Sequence, residues 1–173
     1  MVAMGHRLTL HIVDRDSRAR AEEARIAFAL GHHAEVYADL GELVQHHPRE
    51  GIVIARDGLA AGGALGLLSD LSRAGIWLPL IVVAEAPDIG EVVAAIKAGA
   101  LEFLQLPLER ERLDRVLASV ARELSISPRT VEIHRANMME KLGAGHAADA
   151  VRLRMEARLG DDSPMPRRQI ATG

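Results

Sequence analysis

The sequence predicts an α/β domain, a doubly wound five-stranded parallel sheet, followed by a small all-α module. Over the first two thirds of the chain, short apolar runs alternate with amphipathic stretches, which is typical of repeated β-α units. Two of the runs, 52–55 and 80–83, are apolar at every position, as expected of central strands covered on both faces. The pattern changes after Leu124, where Ser-Ile-Ser-Pro introduces a new helical segment.

The first strand is predicted from Leu8 to Asp14, and the first helix from Ser17, as its N-cap, to Leu30. The other strands are predicted at 34–37, 51–55, 78–84 and 102–106, and the other helices at 40–46, 63–74, 89–98 and 109–124. Parallel strands need crossover connections, so the helices should cover both faces of the sheet. Functional groups are then expected at the carboxyl ends of the strands.

The C-terminal segment predicts two more helices. Ser127 is a suitable N-cap, and Pro128 suits the first helical position because its missing N–H has no helical partner there. This helix should end near Leu142, before two glycines, and a last helix is predicted over 147–159. The predicted divisions are 1–122 for the α/β domain, 123–160 for the all-α module and 161–173 for a disordered tail.

Composition limits the classes of function. The chain has no cysteine, which excludes disulfides and thiolate-bound zinc, and its apolar runs are shorter than the ~20 residues of a membrane span. The N-terminus lacks the pattern of a signal peptide, so a cytoplasmic protein with no membrane partner is expected. Residues 1–107 carry 9 basic and 14 acidic side chains, against 12 and 10 in 108–173, so a mildly basic end follows an acidic body.

The run Ala-Ile-Lys-Ala-Gly-Ala-Leu-Glu-Phe-Leu at 95–104, followed by Pro107, resembles receiver domains of bacterial response regulators, especially the FixJ type. The resemblance covers residues 8–122 and implies a flavodoxin-like fold. It also implies a phosphorylation site built from two acidic residues, a nucleophilic aspartate, a hydroxyl and a lysine. The acids hold a magnesium ion, and the ion, hydroxyl and lysine stabilise charge on the transferred phosphoryl group.

This chain keeps only one of the five groups. Asp14 occupies the first acidic position, whereas the other four positions hold Arg15, Arg56, Ala84 and Leu106, in that order. We therefore expect a degenerate pocket that does not accept phosphate, with no enzymatic activity, cofactor or metal. Asp14, Arg15 and Arg56 are predicted to form an ion-pair cluster that fixes one conformation.

Two acidic neighbours offer alternatives to the lost groups. Asp57 could be a displaced nucleophile and Asp16 a displaced metal ligand. Strand alternation argues against both, because a one-residue shift turns the side chain to the opposite face.

The run from Ile126 to Asn137 resembles the recognition helix of LuxR/FixJ-type helix-turn-helix domains. The resemblance implies base contacts by Glu132, Ile133 and Ala136, and backbone contacts by Arg129, Thr130, Arg135 and Asn137. His134 is interpreted as a packing residue. The remaining histidines show no metal-ligand spacing and are interpreted as surface residues.

Only about twenty residues separate Pro107 from Pro128, so the expected linker and one helix are missing. We expect one helix over 109–124 to serve both domains. The resulting hypothesis is an atypical, phosphorylation-independent transcriptional regulator that binds a palindromic operator in double-stranded DNA as a homodimer. Another regulator or RNA polymerase are further expected partners. The alternative hypothesis is a non-DNA-binding interaction or decoy protein that dimerises with or sequesters another regulator.

Overall fold

The structure is a computed structural model and describes residues 7–125. Five strands and five helices alternate along this part of the chain. In order they are β1 Thr9–Val13, α1 Ser17–Ala29, β2 His33–Tyr37, α2 Leu40–His46, β3 Ile52–Arg56, α3 Gly63–Arg73, β4 Leu80–Ala84, α4 Ile89–Ala98, β5 Glu102–Gln105 and α5 Arg110–Ser125. These elements confirm the predicted β-α alternation, with most bounds within one or two residues of the prediction.

The five strands form one parallel sheet in the order β2-β1-β3-β4-β5. This order confirms the predicted doubly wound fold. The chain reverses its direction of winding after β2, so the carboxyl ends of β1 and β3 lie side by side at the switch point, where α/β sheets place their functional groups. The residues of β4 are buried up to Val83, in agreement with a central strand covered on both faces.

Each face of the sheet has its own apolar core. On one face, α2, α3 and α4 contribute Leu43, Leu67 and Ala95 to a cluster with the sheet. On the other face, α1 and α5 contribute Ile26 and Leu113. The helices therefore cover the sheet from both sides, which leaves the ends of the strands as the accessible edges.

Capping residues set the starts of several helices. Asp88 and Glu91 form a reciprocal capping box at the start of α4. The prediction that Ser17 caps α1 was wrong: the cap is Asp16, whose carboxylate accepts hydrogen bonds from the N–H groups of Arg18 and Ala19. A carboxylate that satisfies two free helical donors is a stronger cap than a hydroxyl one residue later.

Helix α5 completes the receiver-like core. Leu113, Leu117 and Val120 are buried against the sheet, and they recur at spacings of four and three residues on one face. The predicted helix-turn-helix helices and the predicted tail lie outside the described residues. Within residues 7–125, no helix combines the length and the apolar character needed to cross a membrane.

Candidate functional site

A small cavity of about 260 Å³ opens at the carboxyl ends of β1 and β3. It is lined by Asp14, Arg15, Asp16, Arg56, Asp57, Gly58 and Leu59. This is the edge at which the resemblance placed the phosphorylation pocket. Three of the five residues predicted for that pocket, Asp14, Arg15 and Arg56, are among the lining residues.

Asp14 follows the last residue of β1 and is fully buried. One carboxylate oxygen accepts a hydrogen bond of 2.8 Å from the backbone N–H of Asp16, and the other accepts one of 3.0 Å from the guanidinium of Arg56. A buried carboxylate is stable only with such partners, because removal from water strongly disfavours an isolated charge. Arg56 therefore supplies the positive charge that Asp14 requires.

Arg56 is the last residue of β3, and its guanidinium contacts two carboxylates. One nitrogen donates to Asp14 and the other to Glu85, which follows β4. The hydrogen bond to Asp14 is the main cause that raises the pKa of Arg56, with a further contribution from Glu85. The cation therefore occupies the position at which the resemblance places an anionic nucleophile.

Arg15 does not belong to the ion-pair cluster, so that part of the prediction was wrong. Its exposed guanidinium donates to the backbone carbonyl of Leu59, at 3.4 Å. The reason is local: β1 ends at Val13, so Asp14 is directed into the protein and the next residue faces solvent. Glu85 takes the third place in the cluster.

The two acidic alternatives lie at the same cavity. Asp16 is committed to capping α1. Asp57 follows the end of β3 in a turn, so strand alternation does not fix its direction. One of its carboxylate oxygens lies 3.2 Å from where a Cβ on Gly63 would stand, at the start of α3.

The last two predicted positions carry apolar side chains. Ala84 ends β4, and its carbonyl accepts a hydrogen bond of 2.7 Å from the N–H of Leu106. The Leu106 side chain packs against the core cluster that includes α1 and α5. Neither residue provides a hydroxyl or a cation, and those are the groups that would stabilise a transferred phosphoryl group.

Glu23 is a buried acid that the sequence pattern did not predict. It lies on α1 with 2% of its surface exposed, and neither carboxylate oxygen has a hydrogen-bond partner among the described residues. Burial raises the pKa of Glu23 to about 8, and the nearby charge of Asp14 adds to this effect. The side chain is therefore held mainly in its neutral form at pH 7, next to an ionised Asp14–Arg56 pair.

Two acidic residues near the site, Glu85 and Glu23, were not among the predicted site residues. They differ in how far the sequence could have indicated them. Glu85 directly follows a predicted strand, so the rule that functional groups gather at carboxyl ends could have identified it. Glu23 sits inside a helix rich in charged residues, where a buried position is not apparent. Across residues 7–125, no group of three or more His, Asp or Glu side chains is arranged to hold a metal ion.

The predicted DNA-contacting residues fall between 129 and 137, outside the described residues. The family model for bacterial regulatory proteins of the luxR family matches residues 118–154, which include all of them. The match begins inside α5, two positions before the buried Val120.

Known regulators match most of the chain. A transcriptional regulatory protein FixJ of Rhizobium meliloti is 27% identical, covering 88% of this chain and 97% of its own length. FixJ of Bradyrhizobium diazoefficiens is 23% identical, and the alignment covers 94% of this chain and 100% of that protein. The chain is therefore similar over most of its length to FixJ-type response regulators, and its residues 118–154 match the luxR-family model. It is thus a DNA-binding transcriptional response regulator of the LuxR/FixJ type.

Solved structures of response regulators agree with the fold of this chain. The crystal structure of full-length FixJ from B. japonicum superposes with a TM-score of 0.57 at 22% identity, covering 88% of this chain and 98% of that one. The superposition on a FixJ-N crystal structure covers 66% of this chain and 94% of that chain, with a TM-score of 0.58 at 24% identity.

Proposed function

We propose that this response regulator acts without phosphorylation and binds a palindromic DNA site as a homodimer. The observation that carries the first part is the position of Arg56. Its guanidinium lies between the buried Asp14 and Glu85, where phosphoryl transfer would need a nucleophilic carboxylate and a metal ion.

The neighbouring positions support the same proposal. A phosphoryl group at this edge would meet Ala84 and Leu106 in place of the hydroxyl and the lysine that stabilise its charge. A magnesium ion would compete with the Arg56 guanidinium for Asp14, its one remaining ligand. The position of the nucleophile thus holds a cation, and that cation occupies the carboxylate that a metal ion would need.

The ion pairs also connect the strand ends. Arg56, at the end of β3, contacts Asp14 after β1 and Glu85 after β4. The side-chain amide of Gln105, the last residue of β5, donates to the carbonyl of Glu85 at 3.1 Å. Four strands are therefore linked at their carboxyl edge, which favours one fixed conformation over two signalling states.

We infer that α5 serves both parts of the chain. Leu113, Leu117 and Val120 pack in the receiver-like core, while the luxR-family match begins at residue 118. The alignment to the Rhizobium FixJ runs over 198 positions but includes only 88% of this 173-residue chain, so it contains gaps on this side. Such gaps fit a shorter connection than in the Rhizobium protein, and we propose divisions at 122 and 160, with α5 as a rigid connection at the first of them.

The luxR-family match includes every residue that we propose to contact DNA. Glu132, Ile133 and Ala136 would read base edges, while the backbone contacts would come from Arg129, Thr130, Arg135 and Asn137. A homodimer would place two such helices about one turn of DNA apart.

The decisive experiment treats the full chain with acetyl phosphate and magnesium and measures acid-labile phosphate. We expect none above background, with a receiver domain that keeps all five groups of the phosphorylation site as the positive control for the reagent. A stoichiometric phosphate on this chain would overturn the proposal. The same samples, analysed by light scattering, should show a dimer whose mass does not change with the treatment.

The decoy function remains a second candidate, because the C-terminal third is only mildly basic and only about twenty residues separate Pro107 from Pro128. In that function the chain would pair with another regulator and would not bind DNA. A mobility shift with DNA selected from a random pool separates the two candidates, since only the first predicts a salt-dependent complex.

A further inference from the structure

His11 is buried in the middle of β1, so the prediction that the histidines outside the C-terminal module lie at the surface was wrong here. Only 2% of this residue is exposed. Its ring lies against Gly51, where a Cβ would stand 3.0 Å from its Nε2 atom and 2.4 Å from a backbone oxygen. A histidine in such a place needs a hydrogen-bond partner at each ring nitrogen.

The two nitrogens of His11 have different partners. Nε2 lies 2.9 Å from the backbone carbonyl of Glu50. A carbonyl can only accept, so Nε2 carries a hydrogen. Nδ1 lies 3.1 Å from the hydroxyl of Tyr37. The role of Nδ1 therefore depends on the tyrosine.

Tyr37 has one hydroxyl proton and two neighbours. Its oxygen lies 2.8 Å from Oε2 of Glu35, and the hydroxyl donates there. This hydrogen bond is the main cause that lowers the pKa of Glu35. When His11 is neutral, Nδ1 is a bare acceptor facing a hydroxyl whose proton is already used. When His11 is protonated, Nδ1 donates to the tyrosine oxygen, and every proton has an acceptor.

Glu35 connects this chain of hydrogen bonds to the surface. It lies directly opposite His11 in the register of β1 and β2, with Oε2 3.6 Å from Nδ1. His46 of α2 reaches the same oxygen at 3.0 Å, and His33 of β2 reaches the other oxygen at 3.5 Å. Within residues 7–125, the titratable groups that interact with Glu35 come from β1, β2 and α2: they are Tyr37 and three histidines.

We propose that His11, Tyr37 and Glu35 form a proton-binding relay, in which proton uptake by His11 strengthens the β1–β2–α2 edge of the domain at mildly acidic pH. A histidine next to a carboxylate is the side chain suited to respond between pH 5 and 8. Glu35 stays ionised throughout this range, so the positive charge on His11 always has its partner. Tyr37 transmits the hydrogen bond between them.

The first test is NMR of the histidine ring nitrogens in the full chain between pH 8 and 5.5. The His11 signals are assigned by their loss in a His11→Gln variant or, if that variant does not fold, by their contacts to Tyr37. We expect both ring nitrogens of His11 to become protonated while the protein stays folded. A His11 ring that keeps a single proton in the folded protein at pH 5.5 would overturn the proposal.

The second test measures the urea midpoint across the same pH range. It is performed in a Glu23→Gln background, because ionisation of Glu23 would also change stability with pH in this window. By linkage, a proton held more tightly by the folded state raises the midpoint as pH falls from 8 to 6. We expect Tyr37→Phe, which keeps the ring and removes the hydroxyl, to lose at least half of this rise.

Glu35→Gln should reduce the rise in the same way, and it serves as the second variant if Tyr37→Phe folds poorly. His47→Asn is the matched control, since His47 neighbours His46 but lies near Gly75, and it should keep the full rise. An unchanged rise in Tyr37→Phe and Glu35→Gln would exclude the relay.

Discussion

The guanidinium of Arg56 donates a 3.0 Å hydrogen bond to the carboxylate of Asp14, a side chain with no exposed surface. The attraction within this pair contributes less to stability than the removal of one partner would cost, because the other charge would then be left unpaired. An unpaired charge at the Asp14 position would be strongly destabilising, so the arginine is structurally required.

Replacement of Arg56 by Gln should lower the free energy of unfolding by about 3 kcal/mol, the lower end of the range for a broken buried pair, since Arg56 itself is partly exposed. Urea unfolding at pH 7 measures the loss. Arg15→Gln is the control, because this exposed side chain donates a hydrogen bond to a backbone carbonyl and forms no ion pair within residues 7–125, so its effect should stay within about 0.5 kcal/mol. Equal effects of the two substitutions would contradict the assignment.

Replacement of Arg56 by Asp should restore a cation site without restoring phosphorylation. Asp14, the new aspartate and Glu85 would form a set of oxygen ligands suited to magnesium. We expect magnesium at ten times its Kd to stabilise this variant by about 1.4 kcal/mol, measured as a shift in thermal unfolding. Arg56→Asn, which removes the cation without adding a carboxylate, should show no such shift, and neither should the natural chain. A magnesium shift in the natural chain would mean that Arg56 does not block the site.

Glu23 should make the protein less stable as pH rises. Its pKa is about 8 in the folded protein and near 4.5 when exposed, so between these values the folded state holds a proton that the unfolded chain has released. Stability is therefore lost as pH rises from 4.5 to 8. Glu23→Gln should raise the free energy of unfolding at pH 8 by about 1–3 kcal/mol and change it little at pH 5. A variant whose pH profile runs parallel to that of the natural chain would contradict this prediction.

Alanine at Arg129 or Arg135 should weaken DNA binding for all sequences alike, and each substitution should reduce the salt slope by about 1, because one DNA phosphate is no longer neutralised. Fluorescence anisotropy at several salt concentrations measures both quantities. Arg73→Ala removes the same charge from an exposed position on α3 and should leave binding unchanged. If all three variants bind DNA as the natural chain does, the arginines do not contact the backbone.

Much of this architecture was predictable, because short stretches of sequence determine which strands are buried and where helices begin and end. The apolar runs of β3 and β4 and the end of α4 before Gly99 are examples. The proximity of Asp14 and Arg56 was also predictable, since both follow parallel strands whose ends meet at one edge. The direction of Arg15 was not, because it depends on β1 ending one residue earlier than predicted.

Contacts between distant parts of the chain could not be read from local pattern. Glu23 is buried because of how α1 lies on the sheet, and nothing in its neighbouring residues distinguishes it from the exposed Glu22. His11 looked like one more histidine in a chain that has eight. Its burial depends on partners 26 and 39 residues away, Tyr37 and the carbonyl of Glu50.

The filled pocket has a consequence for how the cell could control such a regulator. Under the proposed function, Arg56 permanently neutralises the charge of Asp14, so this pocket gives a kinase nothing to phosphorylate and a phosphatase nothing to remove. Without that input, the number of copies becomes a quantity that the cell can adjust. Timing would then be set by synthesis and degradation, and the regulator would report how much of it has been made.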